Sequence, residues 1–321
     1  MLDGKSILVT GGTGSFGRKF VEIVLARFKP RRLIIFSRDE LKQFEMQQIF
    51  SQHKYPCLRY FIGDVRDKDR LYRAFHEVDD VVHAAALKQV PAAEYNPFEA
   101  VQTNIIGTQN VIDAAIDSNV RRVIALSTDK AVSPVNLYGA TKLCLEKLVV
   151  AGNSYAGGRT RFSVMRYGNV VGSRGSVIPL FLKQKETGVL TITDERMTRF
   201  WLILEQGVNF VLRCLETMHG GEVFVPKIPS MRIVDLARAV CPGCDIKHIG
   251  IRPGEKIHEV LISRNEARNT LDAGKFYVIK PAFPYWGAGN WSAGRPVPED
   301  WEYTSDKNEQ WLGVEELRGF L

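Results

Sequence analysis

Short, wholly apolar runs alternate with stretches of helical periodicity through the first half of the chain. Residues 6–10 (SILVT), 33–36 (LIIF), 60–62, 81–84 (VVHA), 122–126 (RVIAL) and 162–166 (FSVMR) read as strands. Between them, residues 16–28, 39–50, 69–76, 98–119 and 137–153 space their apolar positions as helices do, with Asp39 placed to cap the second. Strands that are apolar on both faces and separated by helices predict an α/β fold, a doubly wound parallel sheet covered on both sides. After Arg166 the pattern breaks into Gly-, Pro- and Arg-rich stretches such as YGNVVGSRGSVIP. Helical spacing returns at 204–217 and 233–240 and a strand at 223–226, and from about residue 280 the chain reads as an irregular arm closed by a helix near 309–320. The expected organisation is a nucleotide-binding domain over 1–166, with a return near 200–226, and a smaller, loop-rich substrate domain with a C-terminal arm over 167–321.

Composition narrows the classes. At 321 residues, 45% hydrophobic and 25% charged, the chain matches an ordinary globular protein. No apolar run reaches the ~18–20 residues that span a bilayer, and MLDGKSILVT enters a strand without a secretory leader. A cytoplasmic protein with no membrane partner is expected. Net charge is +7, but the Lys and Arg residues are scattered, which suits an anionic small ligand and not nucleic acid. The five cysteines are odd in number, which argues against a disulfide framework. Cys241-Pro-Gly-Cys244 has no second C-x-x-C beside it, so it reads as two small residues flanking a turn, and no metal site is expected.

Gly11-Gly12-Thr13-Gly14-Ser15-Phe16-Gly17 follows the first strand and opens the first helix. Glycine lets the backbone approach a pyrophosphate, and the helix N-terminus offers free N–H groups and the positive end of its dipole. In this strand–turn–helix context the loop predicts a Rossmann-like dinucleotide site. The second strand runs into Ser37 and Arg38, with Lys42 a turn further, where an NAD site usually carries an acid. A hydroxyl and a guanidinium suit a 2′-phosphate, so NADP is expected, while Asp39 keeps NAD open. Asp64, beside Val65 where the third strand ends, either reaches the adenine or caps a helix, and Ala84 closes the fourth strand on the same side.

Tyr138 and Lys142 stand four apart on a helix and project from one face, just after Thr128 at the end of RVIALST. A nearby ammonium and a positive nicotinamide are expected to lower the phenol's pKa, so that Tyr138 takes a proton from a sugar hydroxyl held by Thr128. That set supports hydride transfer between a secondary alcohol and a nicotinamide.

GGTGSFG, HAAALK, STDKA and YGATK together resemble the extended short-chain dehydrogenase/reductase family. FIGDVRD, RYGNVVGSRGSVIP, MTRFW, GGEVFVPKIPSM and GIRPGEKIHE narrow the resemblance to inverting UDP-N-acetylglucosamine 4,6-dehydratases of the pseudaminic acid pathway. The resemblance implies oxidation at C4, loss of the C5 proton and the C6 hydroxyl, hydride return to C6 and reprotonation of C5. Retaining relatives carry Asp-Glu after the Thr, whereas this chain carries Asp129-Lys130. Lys130, made partly neutral by burial near cations, is expected to remove the C5 proton, and Asp129 to assist departure of the C6 hydroxyl. The same resemblance places Lys88, Asn169, Arg174, Val177, Arg252 and Glu255 on the substrate, Arg252 at its diphosphate. Asn104 is placed in support of the cofactor or as a cap, and Thr198 and Arg199 either in the cleft or in packing. It also implies a homo-oligomer. A nucleotide-sugar 4-epimerase shares Thr128, Tyr138 and Lys142 but has no use for Asp129-Lys130. The related inverting dehydratase of an L-fucosamine pathway and a cofactor-bound regulator without turnover remain as alternatives.

Overall fold

The computed structural model describes residues 1–171, 177–286 and 291–321. Strands β1 (Ser6–Thr10), β2 (Arg32–Ser37), β3 (Leu58–Ile62), β4 (Asp80–His83), β5 (Arg122–Thr128) and β6 (Arg161–Tyr167) lie in the order β3-β2-β1-β4-β5-β6. All are parallel, and all but β3 are almost wholly buried. Helices α1 (Ser15–Arg27), α2 (Glu40–Ile49) and α3 (Lys68–Phe75) make the first crossovers. This is the doubly wound sheet that the alternation predicts.

One predicted helix is interrupted. The short α4 (Val90–Tyr95) comes before it, and residues 98–119 begin within α5 (Pro97–Val101), pass through a π-helical turn (Gln102–Ile106) and continue as α6 (Gly107–Asp117). The wide turn leaves Asn104 fully buried, and Gly107 packs so closely that a Cβ there would lie 2.7 Å from Val65 Cγ2. After a one-turn 3₁₀ segment (Asp129–Ala131), α7 (Leu137–Tyr155) returns the chain to β6.

The second half builds a smaller lobe and also extends the sheet. β7 (Asn169–Val170), β9 (Thr198–Leu202) and β11 (Ser230–Arg232) make a three-stranded sheet, and β8 (Val189–Ile192) pairs with β12 (Asp245–His248). With α8 (Val177–Lys185) and α10 (Ile233–Val240) they enclose a second core around Phe181, Leu190, Trp201 and Leu236. Helix α9 (Leu204–Thr217) packs on α1, and β10 (Val223–Pro226) lies parallel beside β6. Beyond β10 the sheet turns antiparallel through β15 (Phe276–Ile279), β14 (Thr270–Asp272) and β16 (Arg295–Pro296), giving ten strands. A last pair, β13 (Val260–Ile262) with β17 (Tyr303–Thr304), precedes α11 (Arg264–Ala267) in the first strand and the closing α12 (Val314–Arg318) in the second.

Two buried ion pairs brace the sheet, and the first also ties the halves together. Arg166 on β6 is 2% exposed and meets Glu146 of α7 at 2.6 Å and Glu266 of α11 at 2.8 Å. Arg122 on β5 grips Asp80 of β4 at 2.6 and 2.8 Å. The Cys241-Pro-Gly-Cys244 turn departs from expectation. It follows α10 so tightly that the two Cα atoms stand 5.4 Å apart, and a disulfide joins the cysteines. The odd count misled because a pair this local needs no wider framework.

Candidate active site

A cavity of about 1090 Å³ runs from the glycine loop, along the ends of β1, β4 and β5, into the cleft under the second lobe. Gly11, Thr13, Gly14, Ser15, Phe16 and Gly17 line its floor. Two glycines are obligatory there. Gly11 has φ +64°, and its Cβ would lie 2.9 Å from Ala85 N; a Cβ on Gly17 would lie 2.4 Å from Gly12 O. The loop is therefore a bare backbone cradle at a helix N-terminus, which fits a dinucleotide pyrophosphate. Ala84, Asp64 and Val65 form the facing wall.

Ser37, Arg38 and Lys42 reach the same end of the cavity. The Ser37 hydroxyl bonds the Thr13 hydroxyl at 2.8 Å, joining the second strand to the loop. Arg38 is 55% exposed and pairs loosely with Asp64 at 3.6 Å. Asp39 caps α2 by accepting from Lys42 N at 3.0 Å, and its carboxylate also meets the Lys42 ammonium. Asp64 is no cap: Asp67 accepts from Arg70 N at 2.9 Å and fills that role on α3. Burial opposes ionisation of Asp64, but hydrogen bonds from Arg66 outweigh it and hold the carboxyl below its usual range.

Thr128, Tyr138, Lys142 and Lys130 converge at the centre of the cavity. Helix α7 can approach the 3₁₀ turn at Asp129–Ala131 because Gly139 faces it; a Cβ there would lie 2.2 Å from Lys130 O. Thr128 lies close enough to the Tyr138 phenol to favour its ionised form. Burial pushes the Tyr138 pKa up to about 12, and the cation that works against this is Lys130, not Lys142. Lys142 is itself pushed down to about 8 by burial, and its ammonium donates to Leu126 O. The expected lowering of the phenol by its i+4 lysine is thus corrected: the side chains share a helix face, but Lys142 turns to the backbone of β5.

The environment of Lys130 overturns a second expectation. Its Nζ lies 3.0 Å from Asp129 Oδ1 and 3.2 Å from Glu259 Oε1. Burial alone would favour the neutral amine, but two carboxylates overcome it and raise the Lys130 pKa. Lys130 is therefore an ammonium, because the two carboxylates touching it outweigh both burial and the nearby Arg199 cation. Asp129 is wholly buried and sits behind Lys130 and Thr128, accepting from the Thr128 hydroxyl at 2.9 Å. Burial first, and Glu259 after it, raise the Asp129 pKa. Glu259 shifts the other way: burial opposes its charge, but Lys130, Arg199 and Lys256 hold it ionised. Sequence reasoning missed Glu259, although it closes the GIRPGEKIHE motif, and missed Tyr167, which pairs in register with Thr128 and lines the cavity.

The HAAALK loop is set by a buried chain of hydrogen bonds. The Thr10 hydroxyl accepts from Ala84 N at 3.1 Å and Ala85 N at 3.2 Å, so its proton points to His83 Nδ1 at 2.8 Å. Burial drives the His83 pKa down to about 3, so the ring is neutral with its proton on Nε2, donated to Thr108 at 3.1 Å. Asn104 is neither a cap nor a cavity residue. It accepts from Leu87 N at 2.8 Å and donates to Leu87 O at 2.9 Å and to the Thr141 hydroxyl at 3.0 Å, tying the loop to α7. The loop presents Lys88 to the cavity, where burial lowers its pKa.

Asn169, Val177, Arg252 and Glu255 line the cleft under the second lobe. Arg174 lies outside the described residues. Arg199 lines the cavity, whereas Thr198 is buried against His258 and Ser305. The segment carrying Arg252 and Glu255 docks on the stretch between the 3₁₀ turn and α7: Lys256 donates to Val132 O at 2.6 Å and Asn136 to Gly254 O at 2.8 Å.

With this geometry in place, comparison with known proteins identifies the family. A family model described as "polysaccharide biosynthesis protein" matches residues 7–281. The chain belongs to this family. An inverting UDP-N-acetylglucosamine 4,6-dehydratase of Campylobacter jejuni is 54% identical over 327 residues, spanning 99% of this chain and 97% of that protein. A UDP-glucose 4-epimerase of Rickettsia conorii is 46% identical over 288 residues, spanning 86% of this chain and 82% of that one. Among solved structures, Pen from Bacillus thuringiensis is 39% identical and superposes with a TM-score of 0.89, covering 99% of this chain and 98% of that one. The Campylobacter relative, similar over nearly its whole length, agrees with the resemblance carried by GGTGSFG, STDKA and YGATK.

Proposed function

We propose that this chain is an inverting UDP-N-acetylglucosamine 4,6-dehydratase that uses NADP. The observation that carries the reading is the placement of Lys130 at the cavity wall, beside Thr128 and Tyr138, with Asp129 in contact behind it. The full-length identity to the Campylobacter dehydratase supports it. A dinucleotide whose pyrophosphate is held by Gly11–Gly17 would supply a nicotinamide as hydride acceptor and donor. Ser37, Arg38 and Lys42 receive the 2′-phosphate, and Arg252 with Lys88 receives the substrate's diphosphate end.

Thr128 and Tyr138 hold the C4 hydroxyl, and Tyr138, which the charges of Lys130 and a bound oxidised nicotinamide would together ionise, accepts its proton as C4 becomes a ketone. The ketone acidifies C5. Lys130 and Asp129 share one proton, which moves from the ammonium to the Asp129 carboxylate across their hydrogen bond. The freed Lys130 amine takes the C5 proton, the C6–O bond breaks, and the Asp129 proton, relayed through Lys130, leaves with the hydroxyl as water. The pair returns to ammonium and carboxylate, so it balances the elimination without a proton from solvent.

NMR of the protein with NADP and UDP-N-acetylglucosamine in D2O tests this. The expected product is a 4-keto-6-deoxy sugar with deuterium at C5 and inverted C5 geometry. Retained C5 geometry would remove the role given to Lys130. UDP-N-acetylgalactosamine alone would favour the epimerase reading, which rests on the Rickettsia relative.

A further inference from the structure

Glu259 belongs to no part of the machinery described so far, yet it is the second carboxylate on the reacting lysine. Its side chain is 3% exposed, and Oε1 lies 3.2 Å from Lys130 Nζ. Arg199 Nε stands 3.9 Å from Oε1, and Lys256 Nζ 4.0 Å from Oε2. The residue cannot drift. Its N–H donates to the Ser305 hydroxyl at 2.9 Å, its carbonyl accepts from Ser305 N at 2.9 Å, and Ser305 bonds the Thr198 hydroxyl at 2.7 Å. The strand pair β13–β17 thus holds one negative charge at a fixed point behind the cavity wall.

We propose that Glu259 is a positioning residue that serves as the permanent counter-ion of Lys130, leaving Asp129 free to take up and release the proton of the elimination. The inference rests on the dehydratase reading. Two carboxylates this close to one ammonium cannot both be needed as its counter-charge. Arg199 and Lys256 stand on the Glu259 side, so the charge settles there and Asp129 is left as the exchangeable site. Also facing the pair are the phenols Tyr138 and Tyr167, whose pKa values burial raises. The directions of the shifts agree: Glu259 down, Asp129 up, Lys130 up. Without Glu259, Asp129 would become the sole partner of the ammonium and be locked as a carboxylate.

The test is the pH profile of kcat for Glu259→Gln and Glu259→Asp, read with KM at each pH. For Glu259→Gln the acidic limb is expected to move to lower pH by roughly one unit or more, and a basic limb to enter the accessible range as Lys130 loses its proton more readily. Glu259→Asp keeps the charge and is expected to restore limbs close to wild type. Activity lost in both variants with unmoved limbs would make Glu259 merely structural and overturn the proposal. If Glu259→Gln does not fold, the wild-type protein labelled with ε-¹³C lysine still decides the matter. Its Lys130 resonance, assigned by Lys130→Arg, is expected to stay charged beyond the ordinary lysine value of about 10.4, and titration at or below that value overturns the proposal. Wild type making no 6-deoxy product would sink the dehydratase reading alone, while the lysine titration would still report on the Glu259 contact.

Discussion

Lys142 should destabilise the protein it serves. Its side chain is 4% exposed, and burial drops its pKa from 10.5 to about 8. The folded pKa lies below the unfolded one, so folding carries its full cost below pH ~8, where the amine must lose its proton or bury its charge. The cost shrinks as pH rises through the window from about 8 to 10.5 and vanishes above it. At ~1.4 kcal/mol per unit the gap amounts to about 3 kcal/mol. Replacing Lys142 with Met keeps the volume, removes that cost and forfeits the bond to Leu126 O, worth about 1–2 kcal/mol once the carbonyl is left bare. Lys142→Met is therefore expected to be more stable than wild type by about 1–2 kcal/mol at pH 7 and less stable by a similar amount at pH 10.5, with no turnover at either. Urea denaturation followed by tryptophan fluorescence, without nicotinamide present, measures both. A variant that is less stable by the same margin at the two pH values would refute the desolvation argument.

Three further outcomes are expected. Gly17→Ala forces a Cβ to within 2.4 Å of Gly12 O, so helix α1 must retreat from the loop; nicotinamide affinity should fall at least ~10-fold, as a fluorescence titration of reduced cofactor would show. Arg166→Met leaves Glu146 and Glu266 buried without their cation, at a cost of about 3–5 kcal/mol, which for a chain of 321 residues is a fall of about 4–8 °C in Tm by calorimetry. Arg38→Ala should weaken NADP about 10-fold while leaving NAD nearly unchanged, and equal loss for both would remove the 2′-phosphate reading.

What the chain discloses in advance is what is local. The glycine loop, the buried strands and the Tyr138/Lys142 helix face are each written within a few consecutive turns, and each appears where the pattern places it. The proton chemistry is not local. The sequence points to a partly neutral Lys130 because nothing near it says that Glu259 arrives beside it, carried by a strand pair whose second member is Tyr303–Thr304. The π turn at Gln102–Ile106 hides in the same way, since helical spacing persists through it while Asn104 rotates inward to hold the HAAALK loop. Strands β14 and β16 are too short, at three and two residues, for any periodicity to mark them. Cys241 and Cys244 mislead because counting cysteines cannot report the tightness of the turn between them.

The ten-stranded sheet has an implication for how enzymes of this architecture diversify. β10, β15, β14 and β16 all come from the second half of the chain, yet they complete the sheet begun by the first. A crossover after β6 that exchanged everything downstream would tear four strands from that sheet and strip Glu266 from Arg166. New sugar preferences in such a scaffold must therefore be acquired by substitutions and loop changes in the small lobe around β7, β9 and β11, and not by trading its C-terminal half as a cassette.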